Sequence, residues 1–264
     1  MTDCWGTEQY DSPAAAFDII SEFYDDDMGR TNPGDDVVFY TKHALAGSGP
    51  VLELGCGTGR ISLPLVRAGC EVAGIDISPR MLEVIRRKAD ALLTPPERAR
   101  LRVFCADMRA FELETRFPTV ICPFSAFNFL VEDRELESAL ACIRRHLTAG
   151  GCFVLDTLIP DPEVLARPDD YVYLDYRRTR PDGTVLQREK RIRKNLSEQV
   201  NLVERTYTLL GPDGSLLRRL VTRERIRYFY PNQLTSLLTT HGFVSQLIGV
   251  GPEQIAVVNR FRSI

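Results

Sequence analysis

Between residues 12 and 156 the chain alternates short apolar runs with longer segments whose apolar residues follow helical spacing. The apolar runs are bounded by glycine, proline or polar residues and predict strands: Val51–Leu54, Glu71–Ile75, Leu101–Cys105, Thr119–Pro123 and Cys152–Asp156. The segments before and between them predict helices, over residues 12–30, 35–46, 60–68, 79–93 and 134–147. This alternation predicts a parallel sheet with helices on both faces.

The pattern changes after residue 156, where four segments lack helical periodicity. Pro181-Asp182-Gly183 and Gly211-Pro212-Asp213-Gly214 separate them with turn signals that are typical of hairpins. The four segments predict an antiparallel sheet: Tyr171–Arg180, Thr184–Asn195, Gln199–Leu210 and Ser215–Tyr230. A helix over residues 232–241 and strands over 243–250 and 254–260 follow. We therefore expect an α/β fold into which an antiparallel β subdomain is inserted.

The charge of the chain is unevenly distributed, although its formal net charge is only −3. Residues 171–230 contain 14 Lys and Arg against 7 Asp and Glu, whereas the rest of the chain contains 19 against 29. Arg223, Arg225 and Arg227 alternate and so share one face of a strand. A solvated outer face, a surface that attracts an acidic substrate and an RNA-binding surface all remain open. The negative net charge argues against nucleic acid as a partner.

Other composition signals bear on location and metal binding. Residues Met1–Trp5 lack the basic and apolar regions of a secretory signal, and no apolar run reaches the roughly 18 residues of a membrane span. The seven cysteines are scattered and form no CxxC pair, which favours buried free thiols over disulfides or a metal site. We expect a cytoplasmic protein without a metal site, working as a monomer or homodimer.

The sharpest chemical signal is a strand that runs directly into three alternating glycines, Gly55, Gly57 and Gly59, before a predicted helix. Glycines let the backbone turn tightly and let a ligand approach closely, and the following helix offers free N–H groups. A dehydrogenase that binds nicotinamide would instead show GxGxxG. The GxGxG spacing, with Glu53 before the glycines, disfavours that alternative.

Two further acidic residues follow the next two strands. Asp76 lies at the tip of the second strand, where doubly wound folds place the residue that binds a ribose diol. Asp107 follows the third strand, next to Met108. Three consecutive strand tips are thus expected to form one site of nucleoside size.

The run VLELGCGTG (51–59) resembles motif I of class I S-adenosylmethionine (SAM)-dependent methyltransferases. The block GIDISPRML (74–82), Asp107, Pro123-Phe124 and LTAGG (147–151) also follow the order of that family. The resemblance implies a doubly wound, mostly parallel seven-stranded sheet of Rossmann-like type whose last strand is antiparallel. It also implies three parts: a helical cap (1–50), a SAM-binding core (51–160 and 231–264) and an inserted antiparallel β lid (161–230).

The family resemblance implies a role for each motif residue. Gly55, Gly57 and Gly59 would line the methionine part of SAM, and Asp76 would hold the ribose hydroxyls. Ile77 and Met81 would sandwich the adenine, and Asp107, with Met108 beside it, would accept from the adenine amine. Pro123 and Phe124 would border the transferred methyl group. The candidates for binding SAM, or its product S-adenosylhomocysteine (SAH), are therefore Tyr24, Tyr40, Glu53, Gly55, Gly57, Gly59, Asp76, Ile77, Met81, Asp107, Met108, Pro123 and Phe124.

The acceptor is less clear from the sequence. The three histidines, His43, His146 and His241, lie in or at the ends of helices and suit structural roles better than catalysis. Without an evident base, an amine is slightly favoured over an alcohol, because an amine needs only to be neutral when it attacks. Asn128 and Tyr24 are catalytic candidates, and Asn128, Arg225 and Arg227 are candidates for substrate contact. The expected function is methyl transfer to a nitrogen or oxygen of a small polar molecule, the alternatives being an RNA methyltransferase and a non-catalytic SAM-binding regulator.

Overall fold

The computed structural model describes residues 10–31, 35–249 and 254–261. Residues 1–9 of the expected cap and Val250 of an expected strand lie outside the described residues. The helices are α1 Pro13–Ile20, α2 Tyr24–Thr31, α3 Asp35–Ala46, α4 Ser62–Arg67, α5 Pro79–Leu92, α6 Pro95–Arg98, α7 Asp133–His146, α8 Pro162–Ala166 and α9 Pro231–Thr240. The strands are β1 Val51–Leu54, β2 Val72–Asp76, β3 Leu101–Cys105, β4 Phe117–Cys122, β5 Leu147–Leu158, β6 Val172–Thr179, β7 Val185–Asn195, β8 Val200–Leu210, β9 Leu216–Arg227, β10 Phe243–Gly249 and β11 Gln254–Phe261.

Seven strands form the main sheet in the order β10-β11-β5-β4-β1-β2-β3. Strands β3, β2, β1, β4 and β5 pair in parallel. Strand β11 runs antiparallel between β5 and β10. This topology confirms the expected doubly wound, mostly parallel sheet with an antiparallel last strand.

The main sheet is covered on both faces because successive residues of a strand point to opposite sides. Leu52 of β1 and Val120 of β4 belong to a core that they share with α7 and α9. Val51 and Ile121 belong to a second core, which they share with α3, α4 and α5. The helix α5 begins where the sequence predicts, since the Ser78 hydroxyl accepts a hydrogen bond from the Met81 N–H at 3.1 Å.

The inserted strands form a second, four-stranded sheet in the order β6-β7-β8-β9, with every pair antiparallel. Its first and last hairpins turn at Gly183 and Gly214, which have φ values of 82° and 81°. At its edge the Asp11 N–H donates to the Arg223 carbonyl at 2.9 Å, and the Arg223 N–H donates to the Asp11 carboxylate at 2.8 Å. The insertion is thus tied to the segment that precedes α1.

Some elements differ from the sequence prediction. The single helix expected over residues 12–30 is divided into α1 and α2, and the Ser21 hydroxyl at the division donates to the Asp18 carbonyl at 3.0 Å. Such a local bond competes with helix continuation. Strand β5 begins at Leu147 instead of Cys152, and α6, α8 and a 3₁₀ turn at Ala126–Phe129 were not expected. The division into cap, core and insertion stays a prediction.

Candidate functional site

A cavity of about 1150 Å³ opens at the carboxyl ends of the parallel strands. One wall is made by the tips of β1 to β5, and the opposite wall by residues of β7, β8 and β9. Residues of α1, α2 and α3 line it as well. Ligands of open α/β sheets bind at this edge. Pockets for one small ligand usually measure about 300–1000 Å³, so this cavity has room for two small ligands.

The glycines after β1 have two different structural roles. Gly55 and Gly57 line the cavity with φ values of 70° and 51°, a region that favours glycine. A Cβ at Gly57 would meet nothing closer than the Tyr24 ring at 3.9 Å, so the space in front of it is open. Gly59 is not among the residues that line the cavity, and a Cβ there would lie 2.6 Å from Ile85 of α5. Close packing against α5 therefore accounts for this glycine, and a contact between Gly59 and the cofactor stays a prediction.

Asp76, at the tip of β2, lines the cavity as expected. One carboxylate oxygen accepts from the Gly57 N–H and the other from the Ser78 N–H, each at 2.8 Å. Burial raises the pKa of Asp76, and these two backbone hydrogen bonds oppose that rise. Each carboxylate oxygen has further lone pairs, so the side chain is fixed in place and still able to accept from ligand hydroxyls.

Glu53 is buried beneath the glycine loop, where it accepts a hydrogen bond from the Ser62 hydroxyl. Burial raises the pKa of Glu53 to about 8, although the Ser62 hydrogen bond and the Arg60 charge act in the opposite direction. Arg60 was missed by the sequence analysis. It lines the cavity, pairs with Asp36 at 2.7 Å and lies 5.0 Å over the Phe124 ring. The position of Arg60 directly after Gly59 was the signal in the sequence that could have identified it as a cavity residue.

Asp107 and Met108 line the cavity at the tip of β3. The Arg109 guanidinium donates to both carboxylate oxygens of Asp107, at 2.6–3.0 Å, and also pairs with Glu135. Burial raises the pKa of Asp107, but the hydrogen bonds and charge of Arg109 outweigh it, and the net pKa is lowered. Asp107 thus has a strong internal partner that the sequence did not predict.

Apolar and aromatic side chains surround the part of the cavity beside α5. Ile77 and Met81 line it, and the Phe17 ring meets the Tyr24 and Phe129 rings edge-on at 6.2 and 5.1 Å. Burial raises the pKa of Tyr24 well above its ordinary value, and the positive charge of Arg60 only partly opposes this rise. The phenol therefore stays protonated at neutral pH, which is unfavourable for a catalytic base.

The turn after β4 is held by a buried carboxylate. Phe124 and Ser125 have φ values of 55° and 56°, which is unusual for two consecutive residues other than glycine. Asp156 of β5 accepts from their N–H groups at 2.6 and 2.8 Å, and also from the Tyr40 hydroxyl. Burial raises the pKa of both Asp156 and Tyr40. Pro123, Phe124, Tyr40 and Asp156 all line the cavity, so this network fixes the shape of its wall.

Asn128 and Arg227 are not among the residues that line the cavity, and substrate contact by either of them stays a prediction. The 3₁₀ turn places Asn128 between the two sheets with 0% exposure. Its amide donates to the Arg227 carbonyl at 2.6 Å and accepts from the Thr157 hydroxyl at 2.9 Å. The Arg227 side chain pairs with Asp133 at 2.6 Å. Both side chains fasten the insertion to the core.

Arg225 lines the cavity and pairs with Glu132 at 3.2 Å. Other charged residues of the insertion that line the cavity were missed by the sequence analysis: Arg188, Lys190, Arg205 and Glu224. Arg188 pairs with Asp27 and Asp175, and Arg205 pairs with Glu224. The cations among them belong to β7 and β8 and lie on the face of the second sheet that is turned toward the cavity.

The histidines occupy structural positions. His146 is buried and stacked on Phe111 at 4.3 Å, and its Nε2 accepts from the Leu113 N–H at 3.0 Å. None of the three histidines lines the cavity. Over the described ranges, no cluster of three or more His, Cys, Asp or Glu could hold a metal ion. The same part of the chain contains no helix long and apolar enough to cross a membrane.

Comparison with known families identifies the core. The sequence pattern of a family described as "Methyltransferase domain" matches residues 51–151, the stretch that supplies β1 to β4 and the glycine loop. Residues 51–151 therefore carry a methyltransferase domain, and the relatives and structural neighbours support a class I SAM-dependent methyltransferase. The resemblance of its motifs to this family is thereby confirmed.

Methyltransferases that act on amino sugars are among its relatives. The chain is 26% identical over 241 residues to the dTDP-3-amino-3,4,6-trideoxy-alpha-D-glucopyranose N,N-dimethyltransferase of Streptomyces venezuelae, covering 89% of this chain and 92% of that protein. It spans only about half the length of other curated relatives, 44% and 57% in two cases.

Solved methyltransferase structures share the fold. The CcbJ methyltransferase from Streptomyces caelestis aligns with a TM-score of 0.76 at 24% identity, covering 96% of this chain and 100% of that one. SAM-bound CalS10, an amino pentose methyltransferase from Micromonospora echinaspora, aligns with a TM-score of 0.71 at 24% identity, covering 90% and 96%. At these identities the likeness shows the fold alone.

SAM is the cofactor of this methyltransferase family, and the residues present fit it. The open space before Gly57 and the fixed Asp76 carboxylate suit the close approach of a nucleoside with a ribose diol. Ile77 and Met81 offer apolar contacts in the adenine region, and Arg60 offers a cation to a carboxylate. The cavity has room for a second small ligand beyond these groups.

Proposed function

We propose that this protein transfers the methyl group of SAM to a nitrogen of a small polar molecule. The observation that carries the proposal is the cavity of about 1150 Å³ between the strand tips and the charged face of the inserted sheet. Its first wall carries the family's cofactor motifs, and its second wall carries Arg188, Lys190, Arg205 and Glu224. Relatives named as N,N-dimethyltransferases of amino sugars support an amine over an alcohol.

The cofactor residues have distinct proposed roles. Asp76 accepts from the ribose hydroxyls, Ile77 and Met81 flank the adenine, and Gly55 and Gly57 leave space for the methionine part. Arg60, oriented by Asp36, faces the cofactor carboxylate. Glu53, Met108, Tyr24 and Tyr40 complete the surroundings, and Asp107 reaches the adenine amine from its pair with Arg109.

SAM supplies a methyl group on a sulfonium, an electrophile that a neutral amine attacks directly. The new C–N bond forms as the C–S bond breaks, and the product amine later loses a proton to water or to the protein. The protein's task is to align the two reactants and to exclude water. The turn at Pro123–Ser125, fixed by Asp156, borders the reacting groups, and the inserted sheet closes the cavity from above.

The inserted sheet is the proposed determinant of acceptor choice. The cofactor motifs lie within residues 51–124, whereas the inserted sheet brings Arg188, Lys190, Arg205 and Glu224 to the same cavity. The protein is proposed to act in the cytoplasm, as a monomer or homodimer.

A matched acceptor panel tests the proposed function. Purified protein is incubated with SAM and with pairs of small molecules that differ only in carrying an amine or a hydroxyl group, and SAH formation is measured. Formation of SAH with amine members above the rate without acceptor supports the proposal. SAH formation only with hydroxyl members, or with none, contradicts it.

A further inference from the structure

Two cations lie directly opposite each other on the wall of the cavity. In the register of β7 and β8, Lys190 pairs with Arg205, and both side chains line the cavity. Like charges directly opposite each other on antiparallel strands destabilise a sheet. The stability of the sheet therefore does not explain why Lys190 and Arg205 lie side by side on the face turned toward the cavity.

The anions near this pair are already engaged. Arg188, the neighbouring cation on the same face, pairs with both Asp27 and Asp175. The same Asp175 oxygen also forms an ion pair with the Lys190 ammonium group at 3.0 Å. Glu224 pairs with one terminal nitrogen of Arg205, and it is the only partner of that guanidinium within the described residues. Three donors of Lys190 and five of Arg205 therefore share two carboxylates, one of which also serves Arg188.

The acid–base properties of both cations reflect this shortage of negative charge. Burial, followed by the charges of Arg188 and Arg205, lowers the pKa of Lys190 to about 8, against the opposing effect of Asp175. Burial and the Arg188 charge also lower the pKa of Arg205, against Tyr207, Asp27 and Asp175. By contrast, the pKa values of Arg60, Arg109 and Arg188, whose carboxylate partners outweigh burial, are raised. An added anion would stabilise both cations.

A neutral residue lies on the same face of the sheet without reaching the cavity. Thr222 of β9 is directly opposite Arg205 in the register of β8 and β9. It has 0% exposure and is not among the residues that line the cavity. The ligand-facing groups of this part of the wall are therefore the two cations.

We propose that Lys190 and Arg205 form an anion subsite that binds a carboxylate or phosphate group of the acceptor. This inference deepens the proposed function, since it names the acceptor as a molecule with both an amine and an anionic group. Arg205 presents a planar fork that matches the oxygens of either anion, and Lys190 adds a point charge. The anion would fix one end of the acceptor against the inserted sheet and leave its amine toward the cofactor.

Binding of simple anions to the SAH-loaded protein tests the subsite without requiring turnover. Inorganic phosphate and acetate are titrated by calorimetry into the wild type, Lys190→Met, Thr222→Val and Arg191→Met. Arg191 is the matched control, because it is the next residue of the same strand, faces away from the cavity and pairs with Glu204 at 2.9 Å. SAH affinity and melting temperature are measured for every variant to confirm that the fold and cofactor site are intact.

We expect Lys190→Met to weaken the preferred anion by about tenfold, because it removes a hydrogen bond to a charged group. Thr222→Val, which keeps the shape of a side chain that does not line the cavity, and Arg191→Met should both leave it unchanged. Whichever of phosphate and acetate binds with the higher affinity identifies the anionic group that the subsite prefers. Absence of binding to the wild type, or equal binding by the wild type and Lys190→Met, would overturn the subsite.

The two proposals fail separately. Anion binding that depends on Lys190 but is accompanied by no SAH formation with any amine would refute the proposed function and leave the subsite standing. Methyl transfer to amines irrespective of an anionic group, with no loss in Lys190→Met, would refute the subsite and leave the proposed function standing.

Discussion

At the scale of single residues, burial decides how the acidic groups of the site behave. Asp76 accepts from two backbone N–H groups and keeps lone pairs for a ligand, whereas Asp107 is engaged by Arg109. Glu53 lies deeper, beside only a hydroxyl group and a partly buried Arg60. Three carboxylates close to one cofactor site therefore differ in charge and in availability.

Asp76→Ala should weaken SAH binding by about 2 to 3 kcal/mol, since it leaves the ribose hydroxyls without a charged acceptor. Calorimetry measures the loss, and Asp90→Ala is the matched control, because Asp90 lies on α5 outside the cavity and pairs with Arg98. Unchanged affinity in Asp76→Ala would remove this residue from the cofactor site.

Glu53 should make the stability of the ligand-free protein fall as pH rises. Burial raises its pKa from 4.5 to about 8. Between these two pH values the folded chain therefore keeps a proton on Glu53 that the unfolded chain has released. Unfolding then releases a proton, and the free energy of unfolding falls by roughly 3 kcal/mol between about pH 4.5 and pH 7 from this group.

Glu53→Gln mimics the protonated carboxyl group and should remove that part of the fall. Urea denaturation at several pH values measures the difference from wild type, and the exposed Glu112→Gln provides a control. Parallel stability curves for wild type and Glu53→Gln would show that Glu53 is ionised in the folded protein at neutral pH.

At the scale of elements, the turn after β4 depends on a side chain from β5. Asp156 holds Phe124 and Ser125 in a left-handed conformation and ties them to Tyr40 of α3. The turn, a neighbouring strand and an N-terminal helix are thus joined through one carboxylate. The shape of the wall at the expected methyl position follows from this connection.

Asp156→Asn should lower the free energy of unfolding by about 2 to 3 kcal/mol, because an amide cannot accept from all the donors that the carboxylate serves. The rate of methyl transfer should fall more than SAH affinity, since the turn borders the reacting groups. Tyr40→Phe, which removes one donor and leaves both backbone bonds, should have the smaller effect on rate. Equal rates in Asp156→Asn and wild type would contradict a positioning role.

Sequence patterns predicted the elements whose signals are local. The glycines after β1, the Ser78 cap and the hairpin glycines all lie where their neighbours in sequence require them. Contacts between distant segments were not predictable. The burial of Asn128 depends on the Arg227 carbonyl 99 positions away, and Lys190 meets Arg205 only through strand register. The alternation of arginines in β9 is visible in the sequence and drew attention to Arg225 and Arg227. Which residues of β7 and β8 line the cavity depends on how the sheet packs on the core, and the sequence does not show that.

At the scale of the whole molecule, two sheets with different compositions enclose one cavity. The parallel sheet contributes the acidic strand tips Asp76, Asp107 and Asp156, and the inserted sheet contributes Arg188, Lys190 and Arg205. The opposed charges separate a cofactor wall from an acceptor wall. The uneven charge of residues 171–230 in the sequence thus has a structural counterpart inside the cavity as well as on the outer face.

The central claim is that this cavity transfers a methyl group from SAM to the amine of a small acceptor. The most direct measurement follows a carbon-labelled SAM methyl group by nuclear magnetic resonance in the presence of small molecules that carry an amine, a hydroxyl group and a carboxylate or phosphate. The account predicts a labelled methyl signal on nitrogen that grows together with SAH, and that is lost when Asp76→Ala replaces the wild type at limiting SAM. A labelled signal on oxygen, or none with any acceptor while SAM remains bound, would contradict it.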